Sequence, residues 1–258
     1  MVGTTIPHEL HARSATVRHV ENLSTTYRRL TLALVPGEAA VPWVPMAVGA
    51  HCKVVLPDPA TGEVRFPAWG PGSGRPSGGS PLRDYTIRAV PEAGSVVIEA
   101  VLHGDGPGSA WAAGATEGTT AGILGPRGSK VMPADRPRYL CLVDGSALAT
   151  AARLLEEAPA EAIVDVAVEG IDPTGILPDR AGANVTMVED TDGTGLAAHL
   201  ARMMPGPDDL VWGAGEASSM LRVRHAARAL GVTSDDLVIH GYYKHGVSGR
   251  DHHAPLDA

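Results

Sequence analysis

Arg83-Asp84-Tyr85-Thr86-Ile87-Arg88 sets an aromatic ring, a hydroxyl and two guanidinium groups on one short stretch of β character. Side chains alternate along a strand, so Arg83 and Tyr85 share one face while Asp84 and Thr86 share the other. A planar, permanently charged guanidinium suits a phosphate, an aromatic suits ring stacking, and a small hydroxyl lets a ring edge come close. Two readings stand side by side. The hexapeptide is either a seat for a flavin, whose pyrophosphate and ring system need this mixture, or an edge strand with a solvated face.

The next informative stretch lies downstream, Val101-Leu102-His103-Gly104-Asp105-Gly106-Pro107-Gly108-Ser109-Ala110-Trp111-Ala112. An alternating strand from Val96 to Leu102 runs into a Gly/Pro turn and then into Ala-rich sequence that starts a helix, with Ser109 expected near the N-cap. Free N–H groups and the positive helix end make such a junction an anion site, and glycines let a phosphate approach the backbone. An ordinary strand-turn-helix with a serine cap has the same sequence signature.

Working outward, the chain from Ala15 to Val131 shows short apolar or alternating runs punctuated by Gly and Pro. They are Thr16 to Leu23, Tyr27 to Leu34, His51 to Leu56, Asp84 to Ala89, Ser95 to His103 and Ala121 to Leu124. This spacing predicts an antiparallel Greek-key barrel or sandwich. Phe66 to Ser80, rich in Gly, Pro and Ser, reads as a mobile loop beside the flavin motif, a cover over adenine or substrate. The chain has a single Phe, so Val, Leu, Ile and Ala must fill the core.

From Arg138 the texture changes. Tyr139 to Val143, Ile163 to Val168, Val185 to Val188, Leu210 to Trp212 and Leu237 to His240 read as strands. Ala147 to Glu157, Gly195 to Met204 and Glu216 to Leu230 read as helices. Alternating β and α predicts a parallel-sheet α/β domain whose ligands meet the carboxyl ends of its strands. The boundary is expected in Pro133 to Pro137, giving a barrel domain over 1–134 and an α/β domain over 135–258. The tail from Ser248 onward reads as either disordered or docked.

At 258 residues, 44% of them apolar, the chain suits two modest domains with ordinary cores. A net charge of −8 argues against nonspecific nucleic-acid binding. No apolar run of membrane-spanning length and no basic-apolar leader pattern occurs, so a cytoplasmic location without membrane association is expected. Cys52 and Cys141 sit in apolar strand contexts as buried hydrophobes, and His8, His11, His252 and His253 lie outside regular structure. No metal site is expected from either set.

The ordered series of RxYTxR, HGDGPGSAWA, Ile123-Leu124-Gly125-Pro126-Arg127-Gly128, Val211-Trp212-Gly213-Ala214-Gly215-Glu216-Ala217 and Gly241-Tyr242-Tyr243-Lys244-His245-Gly246 resembles the siderophore-interacting protein family nearly end to end. Those proteins are FAD-dependent ferric-siderophore reductases of the ferredoxin-reductase-like class. The resemblance implies an FAD-binding barrel followed by a nucleotide domain. It assigns FAD contacts to Arg83, Tyr85 and Thr86 and a pyrophosphate loop to Gly106, Gly108 and Ser109, and it puts His103 and Trp111 near the cofactor. A basic trio, Lys53, Arg127 and Lys244, would hold an anionic ferric siderophore, with Lys130 and His245 as neighbours able to substitute. Gly215 and Glu216 would face the nicotinamide, and Arg222, Arg224 or Arg228 a nucleotide phosphate, the alternative for at least two of them being a solvent face.

With FAD present, the cofactor defines the reaction class, hydride in from a nicotinamide and single electrons out to Fe(III), and no catalytic side-chain set is required. One departure affects the donor. Where the family carries Gly-Asp-Glu-Thr-Ala-Leu-Pro, this chain reads Val143-Asp144-Gly145-Ser146-Ala147-Leu148-Ala149, and a β-branched Val is expected to fill space a nucleotide would use. NAD(P)H and ferredoxin therefore both stand as electron donors. Two further readings follow from the same scaffold, a redox-silent biosynthetic catalyst such as a cyclase and a siderophore-binding module without turnover.

Overall fold

A computed structural model describes residues 3–69, 76–104, 106–189, 192–247 and 254–256. The chain folds into two compact units, Thr5–Lys130 and Val131–Ala258, the latter joined by the first four residues. Residues 70–75 of the expected mobile loop, Asp105 of the glycine turn, and His252 and His253 lie outside the described residues.

The first unit contains β1 (Thr5–Pro7), β2 (Ala12–Asn22), β3 (Tyr27–Leu34), β4 (His51–Val55), β5 (Ala68–Trp69), β6 (Pro76–Ser77), β7 (Leu82–Thr86), β8 (Ser95–Val101), helix α1 (Pro107–Gly114), β9 (Thr120–Leu124) and β10 (Gly128–Lys130). Six of these strands form one antiparallel sheet in the order β7-β4-β9-β2-β3-β8. The chain just beyond β7 returns to β8, with Arg88 N–H donating to Val97 O at 2.9 Å and Val97 N–H to Ala89 O at 2.8 Å. That contact brings the two ends of the sheet together into a barrel, and closure removes exposed strand edges.

Aliphatic side chains such as Leu30, Leu32, Val54, Ile98 and Ile123 form the barrel core, each fully buried. One charged cluster sits in the barrel wall. The buried Glu99 carboxylate accepts from Tyr27 Oη at 3.0 Å and Arg29 Nε at 2.8 Å, with Arg88 Nε 3.5 Å away. Pairing a buried carboxylate with guanidinium and hydroxyl donors avoids the heavy cost of an isolated buried charge. Arg88, the second cation of the opening hexapeptide, therefore belongs to the barrel.

The second unit contains β11 (Arg138–Asp144), a 3₁₀ turn (Gly145–Ala147), α2 (Leu148–Glu157), β12 (Ile163–Glu169), β13 (Ala183–Val188), α3 (Gly195–Met203), β14 (Leu210–Glu216), α4 (Ala217–Ala229) and β15 (Leu237–Tyr243). Its strands are all parallel, in the order β13-β12-β11-β14-β15. The run Tyr139 to Val143 is 0% exposed at every position, as expected of a central strand covered on both faces. Leu140 and Leu142 pack with Leu196 and Leu200 of α3 and Met220 and Val223 of α4. Leu256, from the described part of the tail, docks in the same cluster.

The fold is therefore an antiparallel barrel followed by a five-stranded parallel α/β domain. Strand order reverses direction after β13, so β11 and β14 are the neighbours that flank the topological switch point, where open parallel sheets bind ligands. None of the described helices is long and apolar enough to cross a membrane.

Candidate functional site

The junction in the first unit is built by β7 and the start of α1. Pro107 occupies the first helical turn and Gly106 is the N-cap, with no side chain to offer as a cap. Ser109 is consequently not the cap that its sequence context suggests. Pro107 has a preset φ and no N–H to satisfy, which puts the cap three residues earlier, at Gly106. Ser109 is buried, and its Oγ instead accepts the His103 N–H at 2.7 Å, tying the turn to the helix.

Gly108 is where this junction meets the hexapeptide. A Cβ added there would lie 3.0 Å from Arg83 Cγ and 3.0 Å from Tyr85 Oη. A Cβ here would force Arg83 or Tyr85 to give way by a few tenths of an ångström, and glycine avoids that. Arg83 and Tyr85 therefore do share a face, as strand alternation requires, and that face borders the first turn of α1. Arg83 Nη1 donates to Leu82 O at 2.7 Å. Tyr85 packs against the barrel core with its ring 6.5 Å from Trp111, and burial raises its phenol to about 12. Trp111 Nε1 is buried and has no hydrogen-bond partner among the described residues. The other end of α1 is held by Arg28, which donates to Ala112 O and Ala113 O at 2.7 Å and to Ala115 O at 3.3 Å. A cation at the carboxyl end complements the helix dipole.

The opposite face of β7 carries Asp84 and Thr86. Antiparallel register pairs them with Lys53 and His51 of β4. Thr86 is buried. Lys53, expected to present a cation to substrate, is instead engaged by both Asp84 oxygens at 2.7 and 2.9 Å. Sequence reasoning misses this role of Asp84 because a one-residue slip in register would put it on the other face. Arg127 is exposed just beyond β9, and Lys244, half-buried, follows β15 in the second unit.

The switch point of the second unit is furnished differently. Gly213 to Glu216, expected as a glycine turn after a strand ending at Trp212, is the last half of β14, which runs on through Glu216 and enters α4 directly. Glu216 is the N-cap, accepting from Ser218 N–H at 2.6 Å and Ser219 N–H at 3.0 Å. Burial works against its charge, yet the backbone donors of Ser219, His245 and Ser218 hold the carboxylate below its ordinary range. Asp144, at the end of β11, accepts from Ser146 N–H and from Glu216 N–H, both at 2.8 Å. A Cβ on Gly215 would lie 2.5 Å from Asp144 Oδ2, so Gly215 serves close packing onto that carboxylate. Burial raises the Asp144 carboxyl, against hydrogen bonds from Ser146, Glu216 and Tyr243.

Val143 lies inside the parallel sheet, near the end of β11. It is fully buried, with Val168 and Ala214 as its strand partners. On α4, Arg222 and Arg228 are exposed and Arg224 is half-buried. Arg222 reaches the turn before α3, its Nη1 lying 3.0 Å from where a Gly193 Cβ would be. His8 Nε2 is 2.8 Å from Ser129 Oγ and His11 is 3.5 Å from Glu9. The described residues contain no cluster of three or more His, Cys, Asp or Glu able to hold a metal.

Comparison with known proteins follows this division into two halves. A family model described as a siderophore-interacting FAD-binding domain matches residues 16–130, and one described as siderophore-interacting protein matches residues 136–246. The crystal structure of a siderophore utilization protein from T. fusca is 30% identical, covering 97% of this chain and 99% of that one, with a TM-score of 0.83. The NADPH-dependent ferric-chelate reductase of Escherichia coli (strain K12) is 29% identical over 218 residues, 82% of this chain and 84% of that protein. A ferredoxin reductase of carbazole 1,9a-dioxygenase shares the fold alone, at 16% identity and a TM-score of 0.66 over 89% of this chain and 66% of that one. With both halves matched in order and a relative aligned along its whole length, the chain belongs to the siderophore-interacting protein family, on a ferredoxin-reductase fold.

Proposed function

We propose that this chain is an FAD-dependent ferric-siderophore reductase that draws its electrons from NAD(P)H or ferredoxin. The observation that carries the reading is the cradle at Gly108, where a missing Cβ leaves Arg83, Tyr85 and the first turn of α1 converging on one point. Three features of the chain fit FAD: the cradle, the uncapped start of α1, and the buried Trp111 Nε1 that has no partner among the described residues.

Arg83 would hold the pyrophosphate with charge-assisted hydrogen bonds, helped by Gly106, Gly108 and Ser109 at the helix start. Tyr85 would border the ring system and Thr86 its edge, while His103 and Trp111 close the seat from the α1 side. When bound, FAD supplies the means to accept hydride from a nicotinamide and to pass electrons singly to Fe(III) of the substrate. The protein then contributes positioning and exclusion of water. Arg127 is the cation of the first unit we assign to the substrate, with Lys53 limited by its partner Asp84.

The donor is the point on which a second reading rests. Asp144 and Glu216 already occupy backbone N–H groups at both turns flanking the switch point, so a dinucleotide phosphate binding there would displace a carboxylate. That favours weak use of NAD(P)H with ferredoxin as the stronger donor. An anaerobic absorbance experiment tests the proposal. Flavin bands that bleach with NADH or NADPH and return on adding a ferric siderophore support it. Bands that no donor bleaches, reduced ferredoxin included, refute the reductase.

A further inference from the structure

β13 is an edge of the parallel sheet, paired with β12 and with no other described strand. Its sequence, Ala183-Asn184-Val185-Thr186-Met187-Val188, has no charge and no proline, and its register against β12 runs without a bulge. Soluble proteins blunt a sheet edge with one of these devices, because a bare edge is a template for another strand. Here Asn184 to Met187 are all exposed.

The hydrogen bonds at the two ends of the β12–β13 ladder fix which groups point outward. Val164 N–H donates to Gly182 O at 3.2 Å and Gly170 N–H to Val188 O at 3.4 Å. Alternate residues of a parallel strand bond to the same neighbour, so even-numbered residues of β13 face β12. The N–H and C=O groups of Val185 and Met187 therefore point away from the sheet. The side chains of these two residues share a face, where they are 42% and 58% exposed. Val188, on the other face, packs with Leu196 and Leu200 of α3. Outward main-chain groups and uncovered apolar side chains thus coincide at the same two residues.

We propose that this edge is the contact surface for a second copy of the chain, paired antiparallel about a two-fold axis at Thr186, so that two five-stranded sheets run on into one. The register follows from the free donors. With Thr186 opposite its mate, Val185 and Met187 exchange main-chain hydrogen bonds with Met187 and Val185 of the second copy. An axis at Val185 would call instead on Ala183 N–H, which already donates to Arg180 O at 3.3 Å. Val185 then meets Met187 on one face and the two threonines meet on the other, pairings that stabilise antiparallel ladders. Charge selects the direction. Glu189 and Asp192 follow the strand and are exposed. Parallel pairing would align these acidic ends, whereas antiparallel pairing sets the two Glu189 residues about 20 Å apart, beyond the roughly 8 Å screening length of physiological salt. One strand from each copy buries on the order of 600 Å², short of the roughly 1,200 Å² of a stable complex, so the dimer is reversible with a Kd of about 10–100 μM. The inference stands apart from the reductase reading.

Sedimentation velocity of the whole chain over about 1–500 μM should show monomer passing into dimer. Thr186→Cys reads the register. A non-hydrogen-bonded antiparallel pair holds its Cα atoms about 4.5 Å apart, within disulfide reach, so oxidised glutathione should link two copies. Asn184→Cys, set opposite Val188, should stay unlinked, and the native Cys52 and Cys141 are buried. Val185→Pro removes an outward donor while leaving the bonds to β12, and it should raise Kd by about tenfold or more. If circular dichroism shows that variant unfolded, Val185→Lys blunts the same edge with a charge and should weaken the dimer by about tenfold. A single monomeric species up to about 500 μM overturns the inference. So does an association that the folded Val185 variants leave unchanged, or equal cross-linking of Thr186→Cys and Asn184→Cys.

Discussion

Two of the strand-to-helix junctions among the described residues, β8 to α1 and β14 to α4, have similar outline and opposite furnishing. At Gly106 and Pro107 the helix starts without a side-chain cap, glycine stands where a Cβ would strike Arg83 and Tyr85, and a guanidinium borders the turn. At Glu216 and Ala217 the helix start is filled by the chain's own Glu216, and Asp144 takes the N–H groups of Ser146 and Glu216. A helix N-terminus favours anions in both places. What separates them is who supplies the anion. At the first junction the N-cap Gly106 makes no side-chain cap bond, whereas the second supplies carboxylates from within, with which a dinucleotide phosphate would have to compete.

The change with the largest expected effect breaks the first junction. Gly108→Val adds bulk against Arg83 and Tyr85, and since overpacking costs about 1–3 kcal/mol before any contact with the ligand is lost, FAD affinity should fall by about 100-fold or more. Flavin fluorescence titration reads the loss. Arg83→Ala leaves the space but removes the charge. With hydrogen bonds to charged groups worth roughly 1.5–3 kcal/mol, FAD affinity should drop by about tenfold to 100-fold. Retention of FAD at the wild-type level in both variants would mean that the seat lies elsewhere.

Smaller effects sharpen the contrast from the other side. Glu216→Ala frees the N–H groups of Ser218 and Ser219, so the protein should lose about 0.5–2 kcal/mol of stability through the missing cap. Its apparent affinity for NADPH should rise by a few-fold, since the phosphate no longer competes. Steady-state KM for NADPH checks this, and a KM that rises instead would show that Glu216 contacts the nucleotide.

The second junction also predicts two pH slopes of opposite sign. Glu216 is held below its ordinary value of 4.5, so the stability it confers is present above that pH and is lost as pH falls through the folded-state value. Asp144 is raised above its ordinary 3.8, so its contribution is greatest below that pH and is lost as pH rises through the raised value. Melting temperature against pH should therefore fall less steeply on the acid side in Glu216→Gln. Asp144→Asn should remove the decline above pH 3.8. Parallel curves for wild type and both variants would contradict these assignments.

Much of the fold is legible in the sequence. Alternation and turns mark strands of the barrel such as β2 and β3, and continuous apolar runs mark the inner strands β11 and β14 of the parallel sheet, which have no wet face. The alternation of Tyr27 to Leu34 matches the bounds of β3. Details at the junctions are harder. Serine is a good cap, so Ser109 attracts that role, yet Pro107 starts the helix earlier. Gly213 and Gly215 suggest a turn, whereas each allows close packing inside β14, against Met220 and Ile239 for one and Asp144 for the other. Lys53 reads as a substrate cation because its partner is thirty-one residues away and only the β4–β7 register brings the two together. Alternation names the face of a residue within its own strand, but the neighbour across the ladder comes from tertiary structure.

The most direct test of the open first junction is a side-by-side titration of FAD into wild-type protein and Gly108→Val, with circular dichroism to check that both are folded. The account predicts matching spectra and an affinity lower by about 100-fold in the variant. Equal affinities in two folded proteins would contradict it.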